Sequence, residues 1–264
     1  MGLSQLLCRP IDGPATRTSI YGVPVNDSST EPSPEAAERS PEAAERRAPY
    51  DPMPHGPAEV GLGPWVGDWP CGEEYDEQLL AEGDRRNVVD RYRYWTMDAI
   101  IADLDLRRHD FHVGVENWEH DFNIGTIVRS ANAFLAREVH IVGRKRWNRR
   151  GAMVTDRYQH IRHHESIADF TSYLRAEGVP LFGIDNLPGS QPIESIELPR
   201  QCALLFGQEG PGLSEEARAA CDGTFSIAQF GSTRSINASA AAAIAMHTWI
   251  VQHADHGADH SWRG

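Results

Sequence analysis

Five apolar residues run straight into a glycine-rich turn that holds one carboxylate, Cys202-Ala-Leu-Leu-Phe-Gly-Gln-Glu-Gly-Pro-Gly-Leu-Ser214, and no other stretch constrains this chain as much. The run is too short for a helix with a useful buried face. An unbroken apolar segment of that length suits a strand covered on both sides, as in a parallel α/β sheet. Gly207, Gly210 and Gly212 let the backbone turn tightly and approach a ligand, Pro211 stiffens the turn, and Ser214 is placed to cap a helix opening with Glu215 and Glu216. The expectation is a strand, a loop and a helix framing a ligand. Glu209 would repel an anion that backbone N–H groups attract. The spacing is not G-x-G-x-x-G and no Lys follows the glycines, so neither the dinucleotide fingerprint nor the P-loop applies. A ligand neutral or cationic at this end fits better. An ordinary strand-to-helix turn with a solvated glutamate fits the same residues, and this stretch alone does not separate the two.

Strand and helix patterns alternate around it. Phe111–Val115 alternates like a strand, Glu116–Phe122 reads as a loop, and Asn123 is a suitable cap for a helix in which Ile124, Ile127, Val128, Ala131, Phe134 and Leu135 recur up to Arg137. Val139–Gly143 completes a βαβ unit. Then come a helix over Ile167–Ala176, a strand over Pro180–Asp185, a loop over Asn186–Pro192, a helix over Ser214–Cys221, a strand over Thr224–Ala228 and an alanine-rich helix from Ala238 to about His253. The fold class is α/β, a parallel sheet with helices on both faces, in a domain spanning 106–255. Residues 61–105 read as a helical extension, and 256–264 as a flexible C-terminus. Residues 1–60, rich in Pro, Ser, Glu and Ala, read as a disordered tail; it contains the tandem heptad Ser33-Pro-Glu-Ala-Ala-Glu-Arg39 and Ser40-Pro-Glu-Ala-Ala-Glu-Arg46, and two copies are too few for a solenoid.

Of the 264 residues none lies in an apolar run long enough for a bilayer, and the N-terminus lacks a secretion pattern, so a cytoplasmic location is expected. Cys8, Cys71, Cys202 and Cys221 show no C-x-x-C pairing, and no metal site is expected. His160, His163 and His164 match no zinc spacing and read as surface or loop residues. The net charge of -13 argues against nucleic acid, but it is unevenly spread: residues 1–60 carry 9 acids and 5 bases, 61–110 carry 12 and 6, and 111–264 carry 17 and 14. Against that background stands a basic loop, Arg144-Lys145-Arg146-Trp147-Asn148-Arg149-Arg150, expected at the carboxyl end of a strand, where phosphates and unstacked bases would meet arginines and an aromatic ring. Arg91, Tyr92, Arg93 and Tyr94 offer a weaker version, better read as aromatics on the core with solvated arginines.

Three segments stand out in order: Asn123-x-Gly-x-Ile-x-Arg-x-Ala131, Gly207-x-Glu-x-x-Gly-Leu-Ser214, and Ile227-Ala-Gln-Phe-Gly-Ser-Thr-Arg-Ser-Ile-Asn-Ala-Ser239. Together they closely resemble the motifs of the SpoU, or TrmH-like, branch of the SPOUT RNA methyltransferases, over roughly Phe111 to His253. The resemblance implies an S-adenosylmethionine-dependent enzyme that methylates a ribose 2′-hydroxyl of tRNA or rRNA, folded with a C-terminal deep trefoil knot and working as a homodimer. It implies cofactor contacts at Gly207, Ile227 and Ile236, with Leu205, Phe206, Gly212, Leu213 and Asn186 as neighbours. It places Arg129 at the arginine position associated with catalysis, with Asn123, Glu209, Ser235 and Asn237 around it. A sulfonium and an ammonium on the cofactor agree with Glu209 and with the missing phosphate-binding lysine. Gln229-Phe230 departs from the family's usual Pro-Met, and Ala238 from Val. An RNA-binding or ribosome-assembly factor that keeps the fold without the activity is the alternative.

Overall fold

The structure, a computed structural model, describes residues 61–119 and 123–255. The expected disordered tail with its tandem heptad and the expected flexible C-terminus lie outside the described residues. Within them the order is α1 (Glu77–Glu82), α2 (Met97–Asp105), β1 (Phe111–Asn117), α3 (Asn123–Ala133), β2 (Val139–Gly143), β3 (Ile161–His164), α4 (Ile167–Ala176), β4 (Leu181–Ile184), β5 (Gln191–Pro192), β6 (Cys202–Phe206), α5 (Glu215–Ala220), β7 (Gly223–Ser226) and α6 (Ala238–His253).

The strands form one sheet in the order β3-β2-β1-β6-β4-β7-β5, and every pairing is parallel. β1 and β6 lie at its centre, with Phe111 opposite Cys202 and Val115 opposite Phe206. Alternation along the strands sends side chains to two apolar clusters, because successive residues face opposite sides. Phe111, Val113, Val115, Ile141, Leu204 and Phe206 pack against Ile124, Ile127 and Val128 of α3 and Ala242, Ala245, Met246 and Trp249 of α6. Val142, Ala203 and Leu205 meet Ile167, Phe170 and Leu174 of α4 and Ala217 of α5. The helices therefore cover both faces. Small residues on α6 bring it close to the sheet, and fully buried Trp249 anchors it, its ring 4.7 Å from that of Phe111 and its Nε1 donating to the carbonyls of Pro199 and Arg200.

Four local expectations change. β1 runs on through Glu116 and Asn117, both buried, because the polar side chains at its end find partners. Asn123 lies inside the first turn of α3 and spends its side chain on other segments rather than on a cap. That helix stops at Ala133, and Leu135 at φ 54 turns the chain out of it. The histidines at 160–164 are not all surface or loop residues: His163 and His164 belong to β3, and His164 is 3% exposed, its Nε2 hydrogen-bonded to buried His140.

The extension has its own polar anchor. Asp84, fully buried, accepts from Arg86 through both carboxylate oxygens and from the backbone N–H of Arg86 and Tyr94. Tyr92 and Tyr94 are buried, Arg91 pairs with Asp103, and Arg93 donates to the Arg86 carbonyl, so these four serve packing and ion pairs. Tyr92 and Ile100 join Tyr158 of the main domain in a third apolar cluster.

Candidate active site

The carboxyl ends of β4 and β6 open into a cavity of about 390 Å³. Its walls come from Asp185, Asn186 and Leu187 after β4, from Phe206 to Gly212 after β6, and from Ile227, Gln229 and Ser235 to Ala238 between β7 and α6. The turn after β6 folds back on itself: Gln208 and Gly212 exchange backbone hydrogen bonds at 3.1 and 3.0 Å. A Cβ on Gly207 would lie 2.1 Å from the Gly212 carbonyl carbon, so only glycine fits there. Asp185 pins the far side, accepting from the N–H groups of Leu213 at 2.9 Å and Asn186 at 2.7 Å. Asn186 Nδ2 in turn donates to the Arg234 carbonyl, which ties the loop after β4 to the segment ahead of α6.

Three residues from three distant segments meet at the cavity rim. Asn123 Nδ2 donates to Glu209 Oε2 at 2.7 Å, and Asn237 Nδ2 donates to Asn123 Oδ1 at 2.8 Å and to Glu209 Oε1 at 3.4 Å. Asn237 also caps α6, its Oδ1 accepting from the N–H groups of Ser239 and Ala240 and from the Ser239 hydroxyl. Among the described residues the Glu209 carboxylate thus accepts from two side-chain amides, which fix its orientation at the rim.

The remaining expected site residues divide. Ser235, Ile236, Ile227, Asn186, Phe206, Gly207 and Gly212 line the cavity. Leu205 and Leu213 do not: both side chains are buried in the apolar cluster on the opposite face of the sheet. Arg129 is not part of the cavity wall; it is exposed on α3 and makes no hydrogen bond or ion pair among the described residues.

The basic loop follows β2 at the same end of the sheet. Arg144, Lys145, Arg146, Arg149 and Arg150 are exposed, while Trp147 is half-buried against the main core. The Arg149 guanidinium stands 5.4 Å from the Trp147 ring and 3.3 Å from Asp156. Asn117 Nδ2 donates to the carbonyls of Arg144 and Arg146 and so folds the loop over the end of β1. The loop is also pressed on α3: a Cβ on Gly125 would lie 2.8 Å from the Ala152 nitrogen and 2.9 Å from the Asn148 carbonyl oxygen. The helix carrying Arg129 and the basic loop are therefore in backbone contact.

Sequence reasoning misses three supporting residues. Glu116, fully buried, accepts from Trp118 Nε1 at 2.7 Å and from the Ser214 N–H at 2.8 Å. Gln208 Oε1 accepts from the N–H groups of Trp118 and Glu119. Asp185 is the third. Each acts on the backbone of a segment remote in sequence, and no local pattern announces that.

The all-parallel sheet, with a ligand cavity and a basic loop at its carboxyl end, defines an α/β enzyme scaffold with room for a small molecule that is neutral or cationic at Glu209, beside a surface suited to a polyanion. The SpoU rRNA Methylase family model matches residues 110–247, and the chain belongs to that family. The Escherichia coli (strain K12) tRNA (guanosine(18)-2′-O)-methyltransferase is 28% identical over 156 residues, 58% of this chain and 68% of that protein. The SpoU methyltransferase AviRb from Streptomyces viridochromogenes superposes with a TM-score of 0.50 at 27% identity, covering 57% of this chain and 63% of that one. The A. aeolicus TrmH/SpoU tRNA modifying enzyme shares the fold, with a TM-score of 0.53 at 19% identity over 59% of this chain and 81% of that one. The chain spans about three fifths of AviRb's length.

Proposed function

We propose that the protein transfers a methyl group from S-adenosylmethionine to a ribose 2′-hydroxyl of tRNA or rRNA. The observation that carries this reading is the joining of Asn123, Glu209 and Asn237 at the rim of a cavity built from the other two family motifs. The cavity fits the cofactor: Phe206, Ile227 and Ile236 offer apolar walls for a purine, backbone groups of the folded turn offer donors and acceptors to its edge, and Glu209 suits a positive charge. When bound, the cofactor supplies an electrophilic methyl on a sulfonium.

The protein's own residues orient the acceptor. A guanidinium is a poor base and a good planar donor to phosphate oxygens, so Arg129 serves as a clamp on an RNA phosphate near the target ribose rather than as the base. Ser235 and the Asn123–Glu209–Asn237 group hold the polar network beside the reacting atoms, and holding reactants in line is the main contribution available to them. Arg144, Lys145, Arg146, Trp147, Arg149 and Arg150 take the flanking RNA by charge and stacking. A C-terminal trefoil knot and a homodimer complete the reading. The E. coli relative's tRNA substrate makes tRNA the first RNA to test.

The test is mass-spectrometric mapping of ribose methylation in total tRNA and rRNA from cells with and without the gene. A nucleotide that loses its 2′-O-methyl group in the deletion strain supports the reading. Unchanged maps, together with RNA binding by the purified chain, favour the non-catalytic RNA-binding factor. Calorimetric titration with S-adenosylmethionine and with a nucleoside triphosphate provides a second check, and preference for the triphosphate would overturn the cofactor assignment.

A further inference from the structure

At the opposite end of the sheet lies a second cluster of donor groups, unrelated to methyl transfer. The β1–β2 register sets Gly114 opposite His140 and Val113 opposite Val139, so that His112, Glu138 and His140 fall on one face. His112 and His140 are 2% and 0% exposed, and the His140 ring lies against Phe170 and Tyr173 of α4. His112 Nδ1 lies 3.0 Å from His140 Nε2, and Glu138 Oε2 lies 3.8 Å from the same nitrogen; one donor atom from each of the three residues falls within 4.8 Å of the other two.

We propose that His112, His140 and Glu138 form a structural binding site for a transition-metal dication such as Zn²⁺. An ion with bonds of about 2.0–2.1 Å in tetrahedral geometry separates its ligands by roughly 3.3 Å, and the observed 3.0 and 3.8 Å bracket that spacing. Two imidazoles and one carboxylate suit Zn²⁺ better than Mg²⁺ or Ca²⁺, which prefer all-oxygen shells. The surrounding groups orient the ligands as outer partners of metal sites do. His140 Nδ1 is 3.0 Å from His164 Nε2, and His164 Nδ1 is 3.3 Å from Asp169 Oδ2, so the remaining nitrogen of His140 has a hydrogen-bond path to the surface. Tyr173 donates its hydroxyl to Glu138 Oε2, and Arg162 holds Glu138 Oε1. Arg162 leaves the other carboxylate oxygen facing the rings, and the 15% exposure of the Glu138 side chain gives an ion its way in. The ion replaces the proton shared by the two facing ring nitrogens, and that proton moves to the far nitrogen of His112. In place, the ion fastens β1 to β2 below the core.

The test is titration of the full-length, untagged, chelator-treated protein with Co²⁺, a spectroscopic stand-in for Zn²⁺, and thermal unfolding with and without Zn²⁺. The expected result is a single equivalent giving the visible absorption of a low-coordinate Co²⁺ centre, and a rise of several degrees in Tm with Zn²⁺. His112→Gln and Glu138→Gln are expected to weaken binding at least tenfold, while His160→Gln, outside the cluster, leaves it unchanged. Glu138→Gln, at a partly exposed position, decides the matter if His112→Gln does not fold, and circular dichroism establishes that each variant is folded. Absence of Co²⁺ binding by the wild type, or binding that survives Glu138→Gln, overturns the proposal.

Discussion

Asn123 and Glu209, 86 residues apart in sequence, are joined by a 2.7 Å hydrogen bond at the rim of the cavity, and Asn237 reaches both. Each asparagine uses its two amide ends for different partners, so an isosteric acid cannot replace either one: a second carboxylate beside Glu209 adds repulsion where a donor stood. Asn123→Asp is expected to push Glu209 out of the network and lower the single-turnover transfer rate at least tenfold, and Asn123→Ala to lower it less. Single-turnover rates at saturating S-adenosylmethionine check the order; a stronger effect from the alanine variant would contradict it.

Arg129→Ala is expected to abolish transfer while leaving cofactor binding nearly intact, because Arg129 is exposed and outside the cavity wall. Arg129→Lys keeps the charge and loses the planar fork, so partial activity is expected from a clamp. Single-turnover rates together with cofactor titration separate the two effects. Normal turnover in the alanine variant would remove Arg129 from the site.

Replacing Arg144, Lys145, Arg146, Arg149 and Arg150 by Gln is expected to weaken RNA binding uniformly across sequences and to reduce its salt dependence. Each lost phosphate contact lowers the slope of log K against log salt by about 0.7–0.9. Trp147 is a packing residue as well as a stacking candidate, so it stays unchanged in this variant. Filter binding at several salt concentrations gives the slope. An unchanged slope would mean that RNA passes elsewhere.

How much of this is legible in the sequence depends on where each residue finds its partner. β6, α4 and α6 are readable to the residue because their ends carry local punctuation: Gly207 closes β6, Ser166 caps α4 and Asn237 caps α6. β3 is not, because Ile161-Arg-His-His has no apolar alternation, and its inward position is filled by His164, whose burial depends on His140, 24 residues away. The same holds for the site. The motifs bring Asn123, Glu209 and Asn237 to attention, but their mutual hydrogen bonds follow only from a sheet order that sets β6 beside β1. Glu116 reads as a loop residue until Ser214, 98 positions on, supplies its partner. Leu205 shows the converse, since one step along the strand from the cavity-lining Phe206 turns its side chain to the other face.

Asp84 sets the acid limit of the extension. Burial alone would raise its pKa, but hydrogen bonds from the Arg86 side chain and from the N–H groups of Tyr94 and Arg86 outweigh burial and hold it below the usual value of 3.8. A carboxylate depressed in the folded state contributes stability that is present above the unfolded value and lost as pH falls through the folded one. Acid titration followed by tryptophan fluorescence, with Trp65 and Trp95 in this region, is therefore expected to show the extension loosening below pH 3.8. Asp84→Asn keeps the shape and removes the charge. It is expected to destabilise the folded protein at neutral pH by about 1.5–3 kcal/mol, the range for hydrogen bonds to a charged group, and to flatten the acid transition of the extension. Equal acid sensitivity in wild type and Asp84→Asn would show that another carboxylate controls it. Asp103, held by Tyr92, Arg107 and Arg91, would be the next to replace, because its pKa is depressed in the same way.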